Sequence, residues 1–232
     1  MTRFRATALC ALALGPLYPA QAQDTGHLIE RYKRAEIKKN KGVDEAQRVM
    51  FAYAECVAKA FRGQVERYLA TFPGSSASDQ MALRIAADDC LGSGELRFQP
   101  DLFRGALYQA LYQRSFKGRF VDISDAPAVD YGAGRETADP DVGAIQVELR
   151  QFGDCVVRRD QKTARDLVMS RINSDAEDSA FANLGPSLNA CLVQGSQLRF
   201  SRSVLRGLTA ETLYRLSAAK GAATGAAEGV AR

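Results

Sequence analysis

The stretch Cys90–Ser115, CLGSGELRFQPDLFRGALYQALYQRS, decides the fold, because it returns between Cys191 and Ser217 as CLVQGSQLRFSRSVLRGLTAETLYRLS. With Ser196 as the one inserted residue, Cys90, Leu96-Arg97-Phe98, Arg104-Gly105 and Leu111-Tyr112 match Cys191, Leu198-Arg199-Phe200, Arg206-Gly207 and Leu213-Tyr214. The chain reads as a duplication, with copy one over residues 44–116 and copy two over 142–217.

Working outward from the repeat, both copies carry the period of amphipathic helices. Val49, Tyr53, Cys56 and Val57 fall on one stripe, as do Ile145, Leu149, Phe152, Cys155 and Val156. A short second helix follows in each, through Val65, Tyr68 and Leu69 or Ala164, Leu167 and Val168. Leu83, Ala87 and Cys90 then match Leu184, Leu188 and Cys191, placing the second cysteine at the end of a third helix. The fourth helix opens at Pro100 or after Ser201, a first-turn proline and an N-cap serine. Asp44 is the expected N-cap of the first helix of copy one. Gly105 and Gly207 sit inside the fourth helices, where glycine costs about 1 kcal/mol relative to alanine. Their presence in both copies points to a close helix crossing. The expected fold class is all-α: two tandem pseudo-repeated units of about four helices each.

Compartment follows from the beginning of the chain. Arg3 and Arg5 precede an apolar run too short to span a bilayer, which ends in Ala20-Gln21-Ala22. This is the pattern of a secretory signal peptide over residues 1–22, and no transmembrane segment is expected after its cleavage. Loss of Cys10 then leaves an even set of four, Cys56, Cys90, Cys155 and Cys191. An oxidising compartment turns such a set into disulfides, and the duplication selects Cys56 with Cys90 and Cys155 with Cys191, one per copy. A structural metal is not expected: there is no CxxC, and His27 is the only histidine. No cofactor motif is present either.

Three segments flank and join the copies. Residues 23–43 form a basic arm with Arg31, Lys33, Arg34, Lys38, Lys39 and Lys41. Residues 117–141 hold two prolines, three glycines and many aspartates without a helical period, the composition of a linker draped over the surface. The Ala/Gly-rich tail 218–232 has too little apolar bulk to pack and is expected to be disordered.

Function is constrained mostly by exclusion. The formal charge of +4 falls to +2 without Arg3 and Arg5, which argues against a nucleic-acid partner. With His27 near the terminus, histidine-based triads lack a base. Arg97, Arg199, Arg104, Arg206, Tyr112 and Tyr214 recur in both copies and are the binding candidates, since arginine forks match carboxylate or phosphate. The competing reading makes them structural, with Arg104 and Arg206 paired to Glu55 and Asp154 and the tyrosines capping the core. It is the stronger, because sites on repeat proteins use the positions that vary between repeats.

The Cys, Leu-Arg-Phe, Arg-Gly and Leu-Tyr pattern resembles a group of uncharacterised exported bacterial proteins. The resemblance covers most of the mature chain and implies no activity. The expected function is a non-catalytic exported binding or scaffolding module, for another envelope protein or a cell-wall glycan. The alternative is a glycan-cleaving enzyme using Glu55 as a buried general acid.

Overall fold

The structure, a computed structural model, describes residues 41–86, 88–91, 98–192 and 201–230. Among these residues the chain is all-helical. The order is α1 (Lys41–Ala60), α2 (Arg62–Ala70), α3 (Ser76–Ile85), α4 (Pro100–Phe116), α5 (Pro140–Arg159), α6 (Gln161–Met169), α7 (Asp175–Cys191) and α8 (Arg202–Val230). Short 3-10 turns lie at Asp88–Cys90 and Arg135–Thr137, and one isolated bridge joins Ser75 to Ala138. The expected signal peptide, most of the basic arm, and Arg97 and Arg199 lie outside the described residues.

The helix boundaries follow from local chemistry. Ser75 accepts the Ser78 amide at 3.1 Å to start α3, and Ser174 accepts the Glu177 amide at 3.2 Å to start α7. Asp139 caps α5 with Pro140 in the first turn, Asp160 caps α6, and Ser201 accepts the Val204 amide at the start of α8. Pro100 opens α4 as its position requires.

Three expectations change. Helix α1 begins at Lys41, so Asp44 lies inside its first turn rather than at its cap. The third helix of the first half stops at Ile85, Cys90 sits in the following 3-10 turn, and Leu83 is 77% exposed instead of buried. In the second half, α7 runs unbroken to Cys191 and buries Leu184 and Leu188. Last, the tail expected to be disordered is helical to Val230. Alanine is the best helix former, and α8 supplies a packed template from which the Ala-rich segment propagates without paying for a new nucleus.

Both expected disulfides form, Cys56–Cys90 and Cys155–Cys191, with Cα–Cα distances of 5.7 and 5.8 Å. The first ties α1 to the turn after α3, and the second ties α5 to the end of α7. Apolar residues of every helix join one continuous core, including Tyr53, Val57, Phe103, Leu107, Val156, Leu167, Leu184 and Leu213. At its centre α4 crosses α8. A β-carbon on Gly105 would meet the Gly207 Cα at 2.7 Å, and one on Gly207 would meet the Gly105 Cα at 2.9 Å.

The segment between α4 and α5 is anchored rather than merely draped. Ile123, Ala126 and Tyr131 are buried in it. Its backbone is satisfied by side chains of the second half: Arg158 donates to the Ala126 and Pro127 carbonyls at 3.1 and 3.2 Å, and Gln161 accepts the Ile123 amide at 3.1 Å.

Candidate functional site

The recurring arginines are both buried, and both end helices. Arg104 donates to the carbonyls of Tyr68 (3.2 Å), Leu69 (2.6 Å) and Thr71 (2.6 Å), where α2 stops. Arg206 donates to the carbonyls of Val168 (3.3 Å) and Ser170 (2.5 Å), where α6 stops. A helix leaves its last carbonyls without intrahelical donors, and a cation there also complements the negative end of the macrodipole. The arginines therefore support the fold, but not through the expected acidic partners. Asp154 instead receives Arg158 at 2.7 Å and the Tyr131 hydroxyl at 2.9 Å, and Glu55 is exposed on α1.

Two buried carboxylates have no counterpart in the sequence reading. Glu177, fully buried, accepts Arg206 at 2.7 Å and Arg202 at 3.0 Å. Burial lowers the Arg206 pKa, and Glu177 opposes that shift by favouring the charged guanidinium. Glu211 accepts a hydrogen bond from Arg215 at 2.8 Å and forms an ion pair with Arg150 at 3.2 Å. Burial alone would raise the Glu211 carboxyl; Arg150, Arg215 and Arg104 outweigh it, and the net shift is downward. Tyr112 is buried against Phe116 at 5.1 Å, whereas Tyr214 is half-buried beside Tyr108 at 5.8 Å. Neither the arginine pair nor the tyrosine pair lines one shared cleft: the arginines face helix ends, and Tyr112 lies inside the core.

A wide concavity lies elsewhere, between α1, α4 and the end of α6. It encloses about 1080 Å³ and is open to solvent on one side. Arg48, Lys59, Arg114, Lys117, Arg165 and Arg171 line it, against Glu55 as the one acidic lining residue. Phe51, Met169 and Ile172 form an apolar floor. Low-dielectric walls carrying one sign of charge focus the field and concentrate counter-charged ligands.

None of these cations is among the residues that recur between the two aligned stretches of sequence, apart from Lys59, which aligns with Arg158. The signal was available in the differences. With the cysteines aligned, Arg48, Arg165 and Arg171 stand opposite Val147, Glu66 and Phe72; through α4 and α8, Arg114 and Lys117 stand opposite Leu216 and Ala219. Among the described residues, no cluster of His, Cys, Asp and Glu has the arrangement of a metal site. No protein-family model, curated protein or solved structure matches this chain.

Proposed function

We propose that this chain is an exported, non-catalytic binding module, made by tandem duplication of one four-helix unit, whose groove between α1, α4 and α6 takes acidic macromolecules. The groove's charge carries the reading: six cations and one carboxylate line an open channel. Arg48 is paired with Glu45 and Arg165 donates to the Phe116 and Lys117 carbonyls, but a ligand bearing several negative charges still meets a net positive channel, with screening that makes the affinity fall as salt rises.

The duplication is supported by spacing and by role. Helices α1 and α2 have 20 and 9 residues, as do α5 and α6. The disulfides close separations of 34 and 36 residues, Arg104 and Arg206 end corresponding helices, and Gly105 meets Gly207. Export is supported by the amino-terminal pattern and by the disulfides, which persist in oxidising compartments. Among the described residues, no helix is long and apolar enough to cross a membrane.

Binding is favoured over glycan cleavage by the surroundings of Glu55. Glycoside hydrolysis uses two carboxyl groups, one kept protonated in an apolar setting. Glu55 is exposed, and its neighbours along the groove are cations rather than a second acid. The test is retention on immobilised polyglutamate at low salt. Wild type should be held, and Arg114→Glu with Lys117→Glu, both at exposed positions, should elute at markedly lower salt. Equal retention of both proteins would remove the groove as the site.

A further inference from the structure

The same groove exists twice, and in the second half it is filled by the chain itself. Aligning the halves places Glu55 opposite Asp154 and Lys59 opposite Arg158 on the first helix of each, and Gln109 and Gln113 opposite Glu211 and Arg215 on the fourth. Arg171, after α6, stands opposite Phe72, after α2. The segment from Ala126 to Gly134 lies in the space bounded by this second set. The Tyr131 hydroxyl donates to Asp154 at 2.9 Å, and its carbonyl accepts Arg150 at 3.3 Å. Arg158 donates to the Ala126 and Pro127 carbonyls, and a β-carbon on Gly134 would sit 3.4 Å from Phe72 Cβ. Asp154 and Glu211 both bear electrostatically on Tyr131 and raise its hydroxyl pKa, beyond the larger effect of burial.

This internal occupant has a definite chemistry. Ala126–Asp130 is neither helix nor turn, and Val121–Gly134 contains Asp122, Asp125 and Asp130 with no lysine or arginine. In the open groove the corresponding walls are more cationic: Arg165 replaces Glu66, Arg171 replaces Phe72, Arg114 replaces Leu216 and Lys117 replaces Ala219. Lys59 keeps a cation where Arg158 holds peptide carbonyls, and Glu55 keeps the acceptor that holds the tyrosine hydroxyl.

From this we infer that the open groove binds a non-helical acidic peptide of a partner protein, seated as the chain's own linker is seated in the second groove: carbonyls on Lys59 and a tyrosine hydroxyl on Glu55. The inference rests on the acidic-ligand reading above and adds the ligand's class and pose. Peptide recognition of this kind takes affinity from main-chain hydrogen bonds and specificity from side-chain pockets. A flexible acidic polymer would satisfy the charge but not the tyrosine position.

The probe is a fluorescein-labelled peptide of sequence VDISDAPAVDYGAG, titrated with the disulfide-bonded protein and followed by anisotropy at low salt. It should bind at least tenfold tighter than a scrambled peptide of identical composition. Replacing its tyrosine by alanine should weaken binding about tenfold, a change that leaves the protein untouched. Lys59→Met, at an exposed position, should weaken it comparably while the circular dichroism spectrum stays unchanged. Equal affinity for native and scrambled peptides would overturn the pose, and so would tighter binding of a heparin oligosaccharide than of the peptide. If polyglutamate is still retained in those cases, the acidic-ligand reading stands without the peptide. Polyglutamate retention that does not depend on Arg114 and Lys117 would instead remove the reading beneath it.

Discussion

Gly105 on α4 and Gly207 on α8 meet backbone to backbone at the centre of the molecule, so closely that a β-carbon on Gly105 would come within 2.7 Å of the Gly207 Cα. No side chain can give way there, because the obstructing atom is itself main chain. Gly105→Ala would gain about 1 kcal/mol of helix propensity, yet overpacking of this kind costs about 1–3 kcal/mol, and α4 and α8 must move apart to accommodate it. We expect a lower Tm for Gly105→Ala. Gly185, within α7, has nothing within 4 Å of the corresponding point, so Gly185→Ala should be neutral or stabilising by up to about 1 kcal/mol. Thermal unfolding of the two variants side by side is the check; a Gly105→Ala protein as stable as wild type would contradict the crossing.

The two buried arginines should differ in what their loss costs. Arg104→Met strips donors from the carbonyls of Tyr68, Leu69 and Thr71, for an expected loss of about 1–3 kcal/mol. Arg206→Met also removes one of two arginines from the fully buried Glu177, leaving that charge with Arg202, which Asp178 also shares, and the Asn173 amide. Breaking a buried pair costs about 3–5 kcal/mol. Chemical denaturation should therefore place Arg206→Met below Arg104→Met in stability; the reverse order would show that the helix-end carbonyls matter more than the carboxylate.

How far the sequence spoke depended on whether a feature could be seen as a match. Cysteine pairing and the glycine crossing are legible because each rests on a residue that recurs at a matched position, the cysteines after the third helical stretch and the glycines inside a helical pattern where glycine is costly. The roles of Arg104 and Arg206 were legible as structural, but their partners were not. Glu55 and Asp154 stand out as charged, whereas the acceptors that Arg104 and Arg206 have in common are helix-end carbonyls, which every residue carries and no sequence marks, and the carboxylate that Arg206 meets, Glu177, has no acidic counterpart in copy one. Leu83 on α3 fits the apolar spacing of a buried stripe yet is exposed, because spacing alone cannot tell a buried leucine from an exposed one. The basic groove is marked by no such match, because most of its cations stand at positions where the aligned stretches differ, such as Arg165 against Glu66.

Acid should single out Glu211. Its folded-state pKa is depressed below the ordinary 4.5, since Arg150, Arg215 and Arg104 outweigh burial. A depressed carboxylate contributes stability that is fully present above the unfolded pKa and is lost as pH falls through the folded value. Glu211→Gln should therefore be clearly less stable than wild type at pH 7, by about 3–5 kcal/mol if the buried Arg150 is left uncompensated. The gap should narrow once the pH drops below 4.5 and close at lower pH, where the wild-type carboxyl is also neutral. Asp101 works in the opposite direction, because burial raises its pKa; Glu211 adds to that rise, so Glu211→Gln relieves part of it and a small Asp101 contribution remains in the comparison. A gap independent of pH would mean that the loss is one of shape and not of charge.

Each disulfide should be separable from the other. In the chain-entropy treatment, closing 34 or 36 residues stabilises by about 4 kcal/mol. Cys155→Ala with Cys191→Ala releases the long α7 from α5, yet Leu184 and Leu188 still anchor α7 in the core. In the first half α3 is shorter, and Cys56–Cys90 holds a 3-10 turn rather than a helix end. We expect the Cys56→Ala, Cys90→Ala protein to show faster amide exchange over Ser76–Ile85 than the other double variant shows over α7. Equal exchange in the two would imply that packing, not the bridge, sets the order of α3.

The last expectation concerns the linker as an occupant of its groove. Tyr131 is the largest side chain that the segment buries, and its hydroxyl reaches Asp154 while its carbonyl accepts Arg150. Tyr131→Phe keeps the ring and removes one hydrogen bond, and Asp154 retains Arg158, so the cost should be about 1 kcal/mol. Tyr131→Ala removes the ring as well, for about 3–5 kcal/mol by analogy with large-to-small core substitutions. If the segment is a peptide seated in a site, the loss should appear first as local release. Trypsin should then cut at Arg119 and Arg135 in Tyr131→Ala under conditions where wild type is resistant and both proteins keep their helical circular dichroism. Cleavage spread over all helices at once would show that Tyr131 supports the whole core, and that the linker is not a separable ligand of the second groove.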